Sequence, residues 1–248
     1  MIFAPLLACT AGPAPVEEKP SDTATDNGDT GNTAADTADT GGTGEAPAPW
    51  EPFDTLDDAR WDIATWTLGR SELAVENVSV TDGQLALHHE GAGDAWLGAE
   101  IFTSEAFFGG HWTAAMTPPT STGTVCAFFF YGTDGQGLVH EIDVELLGGQ
   151  LWVGTYANWS PAHGYENGPT REYVVIEIDA PQTFTISWGD TVDFLVDGSP
   201  VASFATAVPS IPLQLHLNHW TTDTWADVAY PPPASLDCRF DSVDRADE

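Results

Sequence analysis

The chain from Trp50 to Glu248 predicts an all-β fold, a two-sheet antiparallel sandwich of jelly-roll type. Three observations carry this. Short runs rich in β-branched and aromatic residues recur between clusters of Gly, Pro, Asn and Asp. No stretch shows sustained helical periodicity with caps. The length, about 200 residues, suits one β domain. The predicted strands are, in order, Ala74–Val80, Gln84–His89, Trp112–Thr117, Val125–Tyr131, Glu141–Leu147, Leu151–Asn158, Tyr173–Ile178, Thr183–Trp188, Val192–Val196 and Leu213–Trp220. Asp82-Gly83 reads as a tight turn between the first two. Asp197-Gly198 reads as the turn that joins Val192–Val196 to a second short apolar run as a hairpin.

Residues 10–49 differ in kind. From Ser21 to Gly44 only Ser, Asp, Thr, Ala, Gly and Asn occur, and Asp-Thr repeats four times. Such a segment has nothing to bury and cannot offset its ordering entropy, so it reads as a self-repelling, flexible tether. Ahead of it, Leu6-Leu7-Ala8-Cys9 looks like a bacterial lipobox. Residues 1–9 are therefore expected to be a signal segment, with Cys9 lipidated and the domain held outside a bacterial cell. That lipid would be the only contact with a membrane.

The formal charge is −32, from 38 acidic and 6 basic side chains. Residues 1–50 contribute −7 of it and the rest −25. Nucleic-acid binding is excluded, because phosphate contacts need clustered Lys and Arg. Lys19 is the only lysine, which removes Schiff-base chemistry from the folded region. With Cys9 lipidated, Cys126 and Cys238 remain as an even pair. They form either a disulfide or two separate buried thiols; a bridge needs Cα atoms within about 7 Å.

The informative segment is Val139-His-Glu-Ile-Asp-Val-Glu-Leu-Leu147. Glu141, Asp143 and Glu145 alternate with Ile142, Val144 and Leu146, the period of a strand, so three carboxylates share one face. They repel one another with no Lys or Arg within ten residues. A pair of carboxylates held about 5–5.5 Å apart performs retaining glycoside hydrolysis. An ion site or a solvated acidic face remains open from spacing alone. Calcium prefers ligands from a loop, and His140-Glu141 lacks the second His of a zinc motif.

Glu141-Ile-Asp-Val-Glu145 resembles the signature of glycoside hydrolase family 16, β-jelly-roll endo-glucanases that include lichenases. Flanking segments resemble the family in order: Gly123–Tyr131, Leu146–Gly149, Phe184–Trp188, Val192–Gly198 and Leu215–Trp220. The resemblance implies Glu141 as nucleophile, Asp143 as its partner and Glu145 as general acid/base. The single residue between Asp143 and Glu145 is the spacing of lichenases and xyloglucan-active relatives. The implied function is a retaining endo-β-glucanase acting on a neutral β-glucan, with a transglycosylase or a glucan-binding lectin as alternatives, and the expected state is a monomer.

Glu100, Tyr131, Tyr156, Asn158, Asn218 and Trp220 are the expected substrate contacts, with Phe107, Phe108, Trp112 and Trp159 behind them. His163 and Tyr165 supply possible further subsites. His216 and His219 read as ordinary packing or surface residues that face opposite ways. The sequence departs from lichenases at Phe102, where they carry Arg, and at Val139, where they carry Trp. No cofactor is expected for catalysis. By the same resemblance, Asp241 with the carbonyls of Pro52 and Gly83 would hold a structural calcium.

Overall fold

The computed structural model describes residues 49–119, 121–159, 172–177, 182–222 and 232–246. Cys9, residues 10–48 of the tether, His163 and Tyr165 lie outside them. Two antiparallel sheets face each other across one core, as expected of a jelly-roll sandwich. Sixteen strands are seen among the described residues.

The first sheet holds β1 (Trp61–Ile63), β6 (Ala95–Phe107), β8 (Thr124–Thr133), β9 (Val139–Leu147), β10 (Gln150–Trp159), β11 (Glu172–Glu177) and β15 (Leu213–Thr221). Its order is β11-β10-β9-β8-β15-β6, with β1 on the far side of β6. The second holds β4 (Val78–Thr81), β5 (Gln84–Ala92), β7 (Gly110–Thr117), β12 (Gln182–Trp188), β13 (Val192–Val196), β14 (Ser199–Phe204) and β16 (Ser235–Ala246), in the order β4-β5-β16-β7-β12-β13-β14. A small hairpin of β2 (Thr67–Leu68) and β3 (Ser71–Leu73) pairs in parallel with the start of β6.

Strand β6 belongs to both sheets. Ala95–Leu97 pair with β5, while Ala99 to Phe107 pair with β15. A Cβ on Gly98, between the two stretches, would sit 2.6 Å from the His219 carbonyl oxygen, so only glycine fits this close approach. The sequence prediction missed β6. Crossing from sheet to sheet buries neighbouring residues on both faces, and the period-two signal disappears from Gly98 to Ile101.

The prediction also missed β16 and the short β1 to β3; β14 is the second run of the expected hairpin. The prediction draws one strand over Ala74–Val80. There a 3-10 turn at Val75–Asn77 precedes β4. In β16 a bulge between Phe240 and Ser242 shifts the parity mid-strand. The two turns stand as read. Thr81 pairs with Gln84 and Val196 with Ser199, and both Asp-Gly pairs have positive φ, 54° and 75°, then 48° and 72°. Those angles are the requirement of a type I′ hairpin.

Between the sheets, Phe128, Phe130, Ile142, Val144, Leu215 and Leu217 meet Leu85, Leu87, Trp112, Phe184, Ile186 and Phe240, all at 1 % exposure or less. Cys126 on β8 and Cys238 on β16 are joined by a disulfide, with Cα atoms 5.8 Å apart. The bridge ties one sheet to the other. The N-terminal approach is pinned as well: Glu51 pairs with Val243, and its carboxylate accepts from Arg60 Nη1 at 3.0 Å and Trp61 Nε1 at 2.9 Å.

Candidate active site

Strand β9 is buried on both faces for different reasons. Ile142, Val144 and Leu146 enter the core; Glu141, Asp143 and Glu145 lie on the outer face of the first sheet, yet are only 4, 3 and 6 % exposed. Their cross-strand neighbours account for the cover. Glu141 pairs with Tyr131 on β8 and Tyr156 on β10, Asp143 with Phe129 and Gly154, and Glu145 with Ala127 and Trp152. Directly paired residues share a face, so each carboxylate is bracketed by a different pair. Burying three acids side by side costs stability, and a protein that does so has a use for them. Glu141 and Glu145 are four residues apart, about 13 Å at Cα along an extended strand. Long side chains on one face can converge from there onto a single bond.

The neighbouring strands add a polar clamp. Glu100 on β6 accepts from Asn218 Nδ2 at 3.3 Å through Oε2, and from His216 Nδ1 at 2.8 Å through Oε1. Both carboxylate oxygens are thereby occupied. Asn218 pairs with Ala127, and His216 with Phe129, so the clamp is on the same face as the acids, two and three strands from β9. The opposite orientation of His216 and His219 agrees with strand parity. His219 points between the sheets, its Nδ1 donating to the Leu87 carbonyl at 2.9 Å. The setting of His216 differs from the expectation: it is a buried partner of Glu100 on the face that carries the acids. Sequence missed this because Glu100 and His216 are 116 residues apart.

Of the other expected contacts, Tyr131 and Tyr156 flank Glu141. Trp220 is on the same face as the acids but only 2 % exposed. A Cβ on Gly69, in the turn between β2 and β3, would lie 2.4 Å from its ring, so the hairpin walls the indole in. Asn158 is exposed, has φ of 57° and sits in a bulge between Tyr156 and Trp159. The bulge resets the register, so Trp159 pairs with Val139. A tryptophan position thus adjoins the place where Val139 departs from the lichenase pattern. Phe107 and Trp112 pack in the core, 4.7 Å between ring centroids. Phe108 is 66 % exposed and lies against Trp188 at the edge of the sandwich. Trp152 and Phe129 were missed by the sequence reading. Parity with Tyr156 would have found Trp152.

Asp241 is the extra residue of the β16 bulge, and its Oδ1 accepts from Gln84 Nε2. Phe240 pairs with Leu85, and Glu51 with Val243, so the strand register brings Gly83, Asp241 and Pro52 to one end of the second sheet. One carboxylate and two carbonyls are hard oxygen donors, which fit calcium in kind. Among the described residues no group of three or more His, Cys, Asp or Glu gathers to hold a metal.

The model of the glycosyl hydrolases family 16 matches residues 64–230. None of the curated proteins compared with the chain matches it. Among solved structures, a Bacillus licheniformis β-glucanase superposes with a TM-score of 0.67 at 18 % identity, over 82 % of this chain and 100 % of that one. A β-1,3-1,4-glucanase (lichenase) from a mouse hindgut metagenome gives 0.65 at 21 %, over 79 % and 96 %. A laminarinase from Flavobacterium sp. UMI-01 gives 0.64 at 20 %, over 80 % and 99 %. At these identities the likeness is one of fold.

Proposed function

Since the chain belongs to the glycosyl hydrolases of family 16 and is a glycoside hydrolase, we propose that it cleaves internal β-glycosidic bonds of a neutral glucan with retention of configuration. The observation that carries this reading is the row of three acids on one face of β9, each enclosed by its cross-strand neighbours.

In the proposed cycle Glu141 attacks the anomeric carbon while Glu145 gives its proton to the departing glycosidic oxygen. The C–O bond breaks and a glycosyl ester forms on Glu141. Glu145, now a carboxylate, takes a proton from water, whose oxygen attacks the same carbon. The ester bond breaks, and both carboxyl groups return to their starting states. Asp143 lies between them on the same face and is assigned to orient Glu141. Tyr131 and Tyr156, on either side of Glu141, limit its motion and keep bulk water away.

A mixed β-1,3/1,4-glucan or a related β-1,4-linked chain is the proposed substrate. The single-residue spacing between Asp143 and Glu145 supports it, as does the lichenase among the structural neighbours. The net charge of −32 disfavours sulfated or uronic polysaccharides by repulsion. A structural calcium at Asp241, Pro52 and Gly83 is proposed as a fastener for the β5–β16 end of the second sheet. It takes no part in the chemistry.

The test is hydrolysis of barley glucan, lichenan, xyloglucan and laminarin by wild type, Glu141→Gln and Glu145→Gln. Each substitution is expected to lower kcat by at least about a thousandfold, since it removes the nucleophile or the proton donor. Retained product formation by both variants would defeat the assignment. Products longer than the starting chains would identify a transglycosylase, and tight binding without turnover a lectin.

A further inference from the structure

A second cluster of titratable and metal-ligating side chains stands on the outer face of the second sheet, away from the acid row. Leu85, Leu87 and His89 of β5 point into the core, so Ala86, His88 and Glu90 point out. Register sets Ser235 of β16 opposite Glu90, and Asp237 opposite His88. Directly paired residues share a face, so His88, Glu90, Ser235 and Asp237 meet there. His88, Glu90 and Asp237 line a hollow of about 400 Å³ that Glu76, Asn77 and Arg239 also border. Asn77 Nδ2 donates to the His88 carbonyl at 3.1 Å and fixes that position of the strand.

The His88 ring is oriented from behind. Its Nδ1 donates to Asp237 Oδ1 at 2.7 Å, which leaves the lone pair on Nε2 in the neutral ring. The other oxygen of Asp237, Oδ2, accepts from Arg239 Nη2 at 2.7 Å. Arg239 thereby spends its charge on the far side of the carboxylate, and the carboxylate holds the ring. Nε2 has Ser235 Oγ at 3.4 Å and Glu90 Oε2 at 3.9 Å as its neighbours. A carboxylate on one ring nitrogen, with the other nitrogen left for a ligand, is the outer shell that metal-binding histidines carry.

We propose that Nε2 of His88 and the Glu90 carboxylate bind one divalent transition-metal ion of the zinc type, with Ser235 at its rim. Metal bonds of about 2.0–2.2 Å at tetrahedral angles set two donors about 3.4 Å apart. Ser235 Oγ already stands at that distance from Nε2. Glu90 has to close by about half an ångström to meet the same geometry, a small rotation for a side chain that is 49 % exposed. The protein supplies two strong donors, so water completes the shell and the Ser235 hydroxyl bonds to one of those waters. An imidazole donor selects zinc, copper or nickel over calcium and magnesium, which take oxygen. The charge of −25 outside residues 1–50 draws cations to the domain. The site is separate from Asp241, whose surroundings offer oxygen alone, and it does not depend on the glucanase reading.

The whole chain, freed of metals by chelation and dialysis, is to be titrated calorimetrically with zinc chloride in buffer that keeps calcium in excess. Wild type is expected to take up a single zinc ion. His88→Gln removes the ring nitrogen and is expected to lose that binding. Glu90→Gln replaces the carboxylate by a neutral amide and is expected to weaken it at least about tenfold, no less than the loss of an outer-shell partner. Asp237→Asn keeps Nε2 but removes the anion behind the ring, so Kd is expected to rise about ten- to a hundredfold. His111 is an exposed histidine on β7 of the same sheet, and His111→Gln is expected to bind as wild type does. All four variants change surface side chains, and their Tm without zinc reports the fold separately. No zinc uptake by wild type overturns the proposal. So does an equal Kd for wild type and either His88→Gln or Asp237→Asn. A loss in His111→Gln as large as in His88→Gln overturns it too, since it would mark adventitious binding by any surface histidine.

Discussion

His219 and His89 show how much a single side chain's surroundings decide. Their rings lie 5.5 Å apart between the sheets. Burial pushes His219 down to about 3, helped by the neighbouring His89 and opposed by its bond to the Leu87 carbonyl. Burial also takes His89 down to about 4, with a smaller push from His88. Both folded values are below the unfolded value near 6.5, so the unfolded chain binds more protons in between. Stability from these neutral rings is complete above about pH 6.5 and is lost as pH falls towards 4 and then 3. Urea unfolding at intervals from pH 7 to 4 is expected to show stability dropping by up to about 1.4 kcal/mol per pH unit for each ring. His219→Asn should flatten that slope by about half. A wild-type profile level across this range would contradict the account.

At the scale of the strand, parity and bulges decide which side chains can act together. The acid row was legible because β9 runs without a bulge, so alternation in sequence is alternation in space. Asn158, expected as an amide for sugar hydroxyls, and Asp241, placed by resemblance, both sit where a bulge breaks alternation. A bulge re-aims its extra residue, so no count from a neighbouring strand position predicts where either side chain goes. At Asp241 the extra residue falls next to Gln84 and the β4–β5 turn, which is why the calcium proposal belongs to this scale. Calcium bound at a hundred times its Kd would stabilise the fold by about 2.7 kcal/mol. Chelation by EGTA is accordingly expected to lower the wild-type Tm by roughly 5–10 °C and to leave Asp241→Ala unaffected. An equal response from the two proteins, or none from wild type, removes the ion from the account.

In the molecule as a whole, one covalent link spans the sandwich. Cys126 and Cys238 are 112 residues apart and join β8 to β16. Closing so long a loop restricts the unfolded chain, which is worth about 4–5 kcal/mol in the chain-entropy account. The double variant Cys126→Ala, Cys238→Ala is expected to melt at least about 8 °C below wild type. A difference under about 2 °C would mean that native packing alone sets stability. The link also holds the β8 side of the acid row against the second sheet, so its loss should weaken activity before it unfolds the domain.

The amino-acid order alone determined the all-β class, the two Asp-Gly hairpins and the common face of Glu141, Asp143 and Glu145. Each depends on residues within about ten positions of one another, through turn conformation and the period of an extended strand. The tertiary structure alone decided that β6 crosses both sheets, that Cys126 meets Cys238, that Gly69 walls in Trp220 and that His216 clamps Glu100. Those facts depend on which strands lie side by side. Strand order comes from burying one shared core, and no local pattern in the chain encodes it.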